Sequence, residues 1–542
     1  MTTASSAVHN TGLAVMTVLR SYGIDTIFGI PGTHNLELYR HLPGLGIHPV
    51  TTRHEQGAGY AADGWAQQTG LPGVVITTSG PGLLNALSAA ATSYCESRPM
   101  IVLSPGPARG QEGADRGTLH ETKDTSGAAA AVMQWSRRVS CAEEAVEAVH
   151  DAFALFWTSR PRPVHIEIPL DVLEAEAEVA ADRLVARPAP VAVRADEAAI
   201  AAAVTALAGA SDVVVLAGGG SLPAGDDVRR LVELLDAPVV TTLNGKASVP
   251  ESHPLSLGAD IRTPAAQKAC SGADVLLVLG SKVGEAELWG GLVEPTGTVV
   301  RVDVLESQMD VNLTAGVRLV GDSAAVVPQL VEALERAGVG ARGRGAAGAA
   351  MLRDEVRAQA AGTAPDLVAL TRELVAGMPD GTIVAGDSSQ VTYFGTSSIA
   401  QDRPHSFLYM PAYATLGYGL PAAIGAKVAA PERAVVCVAG DGALMFAIQE
   451  LATAVEQGLD LVVVCVDNGG YAEIKQNEAD RGIAPIGVDL HQPDWAALGR
   501  AFGGHGTRVE AATELAAAVR EAITGGGVHV VHVPLAIFAD RR

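Results

Sequence analysis

An α/β architecture of three doubly wound parallel-sheet domains is predicted by three observations. Short β-branched runs alternate with alanine-rich stretches along the whole chain, glycine-rich turns follow several of those runs, and 542 residues exceed what one core organises. Two biased segments set the boundaries: Pro and Ala crowd VARPAPVAVRADEAA at residues 185–199, and RAGVGARGRGAAGAA at 336–350 is of low complexity. Domains are expected over residues 1–184, 185–350 and 351–542.

In the first block TIFGI, GVVITTS, PMIVLSP and PVHIEIP read as strands. The second block has DVVVLAGGGS, APVVTTLNGK, DVLLVLGS and TVVRVDV, and the third has TIVAGDSSQ, RAVVCVAGDG, DLVVVCVDN and VHVVHVP. Glycine-rich turns at strand ends in the first and third blocks mark where open α/β sheets bind ligands.

Sixty Gly, 48% hydrophobic and 4% aromatic residues describe a packed globular chain. A net charge of -22 argues against a nucleic-acid partner, because phosphate binding needs clustered Lys and Arg. The five cysteines, at 95, 141, 270, 437 and 465, show no CxxC spacing, which fits a reducing compartment. No leader pattern or apolar run of membrane-spanning length is evident, so no membrane partner and a cytoplasmic location are expected.

The segment CVAGDGALMFAIQELATAVEQGLDLVVVCVDNGGYAEIK, residues 437–475, sets a carboxylate at one strand tip and an amide at the next. Asp441, Asn468 and the carbonyl of Gly470 offer the hard oxygen donors that Mg2+ prefers, with room left for phosphate and water. Gly440 and Gly442 let the backbone approach a diphosphate, and a helix beginning near Ala443 is expected to aim amides at the anion.

This spacing resembles the binding motif of thiamin diphosphate enzymes, which usually ends in two asparagines; here Asp467 stands at the first of them and Asn468 keeps the ligand position. The segment TTRHEQGAGYAADGWAQQTG resembles the family's HEQxAxxxADG pattern. By that resemblance Glu55 binds pyrimidine N1' and favours the tautomer whose 4' nitrogen deprotonates thiazolium C2. TTSGPGLLNALSAA places Asn85 near the pyrimidine, ATLGYGLPAAIGAK puts Leu416 as the wedge between the two rings, and GDSSQ puts Ser388 and Ser389 at the diphosphate.

The whole chain is similar to the pyruvate decarboxylase, acetolactate synthase and benzoylformate decarboxylase group, with pyrimidine-binding, central and diphosphate-binding domains in that order. The resemblance implies cofactor sites shared between subunits, hence a homodimer or homotetramer. Thr33 stands where pyruvate decarboxylases carry an aspartate, and Thr78 where benzoylformate decarboxylase has a histidine. A closer likeness is to 5-guanidino-2-oxopentanoate decarboxylases, in FGIPGTHNLELYR, RGTLHETKD, GYAEIK and IAPIGVDLHQPDW.

That likeness implies decarboxylation of a 2-oxo acid to an aldehyde, with Thr33, His34, Glu121 and Glu473 facing the substrate and Tyr471 lining the cavity. Glu473 and Glu121 are candidate carboxylate partners for a cationic tail. Either glutamate could instead protonate the product carbon, with His120 as competing donor. A carboligase of acetolactate synthase type shares every cofactor residue and stays open, as does a cofactor-free scaffold or sensor. In the middle block LAGGGS, residues 216–221, resembles a nucleotide-binding turn; an empty domain is favoured over one holding FAD.

Overall fold

The computed structural model describes residues 10–341, 343 and 345–539. Its strands form three six-stranded sheets in which every pairing is parallel. The first contains β1 (Thr26–Gly29), β2 (His48–Thr51), β3 (Gly73–Ile76), β4 (Met100–Gly106), β5 (Trp135–Arg138) and β6 (Val164–Pro169), ordered β2-β1-β3-β4-β6-β5. The second contains β7 (Val213–Ala217), β8 (Val239–Thr241), β9 (Ser256–Gly258), β10 (Val275–Leu279), β11 (Thr298–Asp303) and β12 (Val317–Val320), ordered β12-β11-β10-β7-β8-β9. The third contains β13 (Ile383–Gly386), β14 (Phe407–Leu408), β15 (Val435–Gly440), β16 (Leu461–Asp467), β17 (His505–Arg508) and β18 (Val528–Pro534), ordered β14-β13-β15-β16-β18-β17.

Inner strands such as GVVI, VLLVL and VVCVAG are buried on both faces, which is why they read as unbroken apolar runs. Each sheet reverses its strand order at an inner pair, between β1 and β3, β7 and β10, and β13 and β15. The loops that leave those strands open the crevices where doubly wound sheets bind ligands.

The first and third sheets share one apolar core, while the second has its own clusters. The seam of the shared core is the contact between helices Glu55–Thr69 and Gly419–Ala429. A methyl added at Gly64 would overlap the carbonyl of Ala422, and one at Gly425 that of Ala61, so only glycine permits this approach. Beside the seam, buried Arg98 donates to Asp63 at 2.6 Å, to Asn244 at 3.0 Å and to the carbonyl of Tyr409 at 2.6 Å, tying the three domains at one guanidinium.

Helix Gly345–Thr363 packs on the second sheet, where Ala349 is fully buried and Arg353 donates to the carbonyls of Pro254 and Ser256. The third domain's own packing therefore begins with helix Pro365–Gly377 and not at residue 351. Among the described residues no helix is long and apolar enough to cross a membrane.

Candidate active site

Two clusters of polar groups occupy the crevices of the first and third sheets. In the first, His54 caps the helix that opens at Glu55, its side chain accepting from Gln56 N at 3.1 Å. Glu55 is thereby held at the helix start, 8% exposed, with Oε2 accepting from Asn85 Nδ2 at 3.0 Å. A methyl at Gly82 would lie 2.8 Å from Thr78 Cγ2 and 3.1 Å from Glu55 Oε1, so Thr78 and Glu55 share one small space. Thr78 Oγ1 is buried without a partner.

Beyond Thr78 the turn after β3 brings Ser79 between two histidines. Ser79 Oγ is 2.6 Å from His34 Nδ1 and 3.4 Å from His120 Nδ1, and the two rings meet edge to face at 5.3 Å. Burial, and next the neighbouring His120, lower the pKa of His34. Thr33 is exposed at the rim. Glu121 turns away: its carboxylate accepts from the backbone N–H groups of Arg116, Gly117 and Thr118 at 3.1, 2.6 and 3.1 Å. Those donors, that of Arg116 first, lower its pKa, and they commit the side chain to shaping the loop that carries His120.

In the third sheet the tips of β15 and β16 carry Asp441 and Asn468 as the sequence indicates. The side-chain oxygen of Asn468 faces Asp441 Oδ1 and the carbonyl of Gly470, each 3.1 Å away, while Asp441 Oδ2 is buried without a partner. Turned over, the amide would donate to both acceptors. With a cation among them, all would serve as ligands and the orphaned carboxylate charge would be balanced. The donor set fits Mg2+: a carboxylate, an amide oxygen and a carbonyl are hard oxygen donors. Burial, and second the charge of Asp467, raise the pKa of Asp441. Asp467 has a structural part, accepting from Gly469 N at 3.0 Å and pairing with His532 at 3.0 Å.

The connection between the two tips differs from the expected single helix near Ala443. A four-residue helix, Asp441–Leu444, is followed by turns and then by helix Glu450–Glu456. So short a helix has little macrodipole, and its first N–H groups have no intrahelical partner. The glycines also answer to this chain's own side chains: a methyl at Gly440 would lie 2.9 Å from Ser389 Cβ, and one at Gly442 2.8 Å from the Tyr471 ring.

Around them, Ser388 Oγ is 3.2 Å from Tyr409 OH and Ser389 Oγ donates to the Asp387 carbonyl at 3.1 Å. Leu416 is half-buried on a turn whose Gly417 and Gly419 N–H groups donate to Asp387 at 3.0 and 2.9 Å. Asp387, which sequence reasoning passed over, is fully buried, and burial raises its pKa to about 6. Glu473, in the first turn of helix Ala472–Asp480, accepts from Gln390 at 3.1 Å. In the central sheet, Gly220 N donates to the carbonyl of Gly280 at 3.1 Å, and a methyl at Gly218 would meet Ser281 Cβ at 2.6 Å; the glycine turn there serves backbone packing.

One crevice with hard oxygen donors and another with a helix-start carboxylate are the two parts that an α/β enzyme using a metal-bound diphosphate cofactor requires. The chain belongs to the thiamine pyrophosphate (thiamin diphosphate) enzyme family: residues 9–128 match the family's N-terminal TPP binding domain, 200–330 its central domain and 387–533 its C-terminal TPP binding domain. It is 38% identical to a protein of Pseudomonas aeruginosa named "Probable 2-ketoarginine decarboxylase AruI", over 91% of this chain and 88% of that one. It is 30% identical to the acetolactate synthase isozyme 2 large subunit of Escherichia coli, over 96% and 94% of the two chains. A probable acetolactate synthase large subunit of Methanococcus aeolicus is 29% identical over 94% and 89%.

Proposed function

We propose that this protein is a thiamin diphosphate- and Mg2+-dependent enzyme that removes CO2 from a 2-oxo acid without oxidation and releases an aldehyde. The observation that carries the reading is the convergence of Asp441 Oδ1 and the Gly470 carbonyl on the side-chain oxygen of Asn468, with the other carboxylate oxygen of Asp441 buried and unpartnered. These groups would hold the metal and, through it, the diphosphate, with Ser388, Ser389 and the Gly442 and Ala443 amides beside the phosphates. When bound, thiamin diphosphate supplies the sink for the electrons freed as the bond to the carboxylate breaks. Glu55, oriented by Asn85, would hold a proton at the pyrimidine ring, and Leu416 would keep the two rings at an angle. His120 would deliver a proton to the carbon that has lost CO2.

The substrate we infer has a cationic tail, with 5-guanidino-2-oxopentanoate as the leading candidate. Support comes from the name of the 38% identical relative and from Glu473, a half-buried carboxylate one turn from the metal donors that can pair with a guanidinium. The working site is read as forming between two copies in a homodimer, or a homotetramer of such pairs. Leu84 beside Asn85, and Met445 and Phe446 beyond the Asp441 turn, are large apolar side chains 45%, 44% and 50% exposed, and a second copy would cover them. The central domain is read as free of flavin, its LAGGGS turn being packed against Gly280 and Ser281.

A carboligase is the second reading, favoured by the acetolactate synthases at 29% and 30% identity. Incubation with Mg2+ and cofactor separates the two. Aldehyde and CO2 from 5-guanidino-2-oxopentanoate are expected; acetolactate from pyruvate without that aldehyde would overturn the first reading.

A further inference from the structure

Ser79 lies on the floor of the first crevice, 6% exposed, with its oxygen between His34 Nδ1 at 2.6 Å and His120 Nδ1 at 3.4 Å. A serine hydroxyl has one proton, so it can donate to one ring and must accept from the other. The two imidazoles are therefore locked in opposite states. If Ser79 donates to His120 Nδ1, then His120 bears its proton on Nε2, while His34 donates from Nδ1 and has a bare Nε2. If the hydroxyl turns, both assignments swap.

The backbone enforces the arrangement. His120 adopts φ of +62°, a left-handed conformation uncommon for histidine, and Gly80 at φ of +60° passes so close to the His120 carbonyl that a methyl there would overlap it. Glu121 fastens the same loop through its three backbone acceptor contacts. The His120 ring is thus held above Ser79 by loop geometry as well as by the long hydrogen bond.

We propose that Ser79 is a positioning residue that joins His34 and His120 into one proton relay serving the aldehyde-forming step, an inference that rests on the decarboxylase reading above. Loss of CO2 from a 2-oxo acid to give an aldehyde consumes one proton. In the relay His120 Nε2–H breaks as the new C–H bond forms. The Ser79 proton passes to His120 Nδ1, the His34 Nδ1 proton passes to Ser79 Oγ, and His34 Nε2 takes a proton from water. One solvent proton reaches carbon, and both histidines end neutral with exchanged tautomers.

The test uses the holoenzyme of Ser79→Ala and Ser79→Thr beside the wild type. CO2 loss is followed separately from protonation by intercepting the reaction with ferricyanide, which needs no proton at carbon. Ser79→Ala is expected to release aldehyde about 10²-fold more slowly, with ferricyanide-coupled CO2 release and KM within twofold of wild type. Ser79→Thr, which keeps a hydroxyl, should recover most of the loss. In the cofactor-free protein, 15N-histidine spectra should show one Nδ1–H and one Nε2–H ring for this pair in the wild type and lose that pairing in Ser79→Ala.

Unchanged aldehyde release in Ser79→Ala, or an equal fall in aldehyde and ferricyanide-coupled CO2 release, would overturn the relay while leaving the decarboxylase intact. A wild type that releases no CO2 from any 2-oxo acid would overturn the parent reading and the relay with it.

Discussion

Oε2 of Glu55 accepts a hydrogen bond from Nδ2 of Asn85 at 3.0 Å, which leaves Oε1 over the Gly82 turn as the free edge of a nearly buried carboxylate. Glu55→Gln keeps the shape and loses the acid. Mg2+ and cofactor affinity should stay within a few fold, while hydrogen–deuterium exchange at cofactor C2, read by NMR, should slow at least about 10²-fold. Exchange at the wild-type rate would remove Glu55 from the activating role.

Asp441 Oδ2 is a buried acceptor with nothing to accept from, which costs stability that a bound cation would restore. Asp441→Asn should raise the melting temperature of the metal-free protein and abolish the further rise that Mg2+ with thiamin diphosphate gives the wild type. Thermal melts with and without both ligands check the two halves together. A variant that still gains the wild-type increment would argue against the clamp.

Glu473 and Glu121 differ in what their carboxylates are free to do. Glu473 has one side-chain donor, Gln390, whereas Glu121 is spent on three backbone N–H groups. Glu473→Gln should raise KM for 5-guanidino-2-oxopentanoate about 10- to 100-fold relative to an uncharged 2-oxo acid of similar length, as loss of a charged hydrogen-bonded pair implies. Glu121→Gln should leave that ratio unchanged and lower kcat for both substrates through the His120 loop.

Stability should peak on the acidic side of neutrality. Burial lowers the pKa of His165 to about 3 and, with Arg98 second, that of His405 to about 4. For these groups the folded value lies below the unfolded one of about 6.5, so the stability they give is present above that pH and lost as pH falls through the folded values. Burial raises Asp387 to about 6 and Asp260 and Glu287 to about 7. Their folded values lie above the unfolded ones near 4, so their contribution is complete below that and lost as pH rises through 6 to 7. Urea midpoints should fall as pH drops below about 4, decline again as pH rises from about 4 to about 7 and level off beyond that, and Glu287→Gln should flatten the neutral-side decline. Stability climbing steadily from pH 5 to 8 would contradict the burial of these carboxylates.

Twelve inner strands announce themselves as apolar β-branched runs, and the six edge strands do not. β2, β5, β12 and β17 are half-exposed and carry charged or polar residues, while β9 and β14, though buried, are three and two residues long. Periodicity registers a strand buried on both faces and is nearly silent for one that meets solvent or barely pairs. The placing of Asp441 and Asn468 at neighbouring strand tips, and of Glu55 at a helix start, was legible because these residues sit in contiguous motifs. Ser79, Asp387 and Arg98 were not, since what matters is which distant residue each meets. Ser79 joins residues 34 and 120 only because β1 and β3 are neighbours in the sheet. The short helices between β15 and β16 escaped because IQELATAVEQ carries a helical pattern that turn geometry cuts at Gln449.

The glycine seam between Glu55–Thr69 and Gly419–Ala429 has a consequence for inheritance. Carbonyl meets bare backbone at Gly64 and Gly425, and the apolar interior runs unbroken from one side to the other. A chimera that took one of these halves from a relative and kept the other would have to match both surfaces at atomic fit. Recombination between such genes should therefore tolerate exchange of the middle segment far more readily than separation of its two flanks.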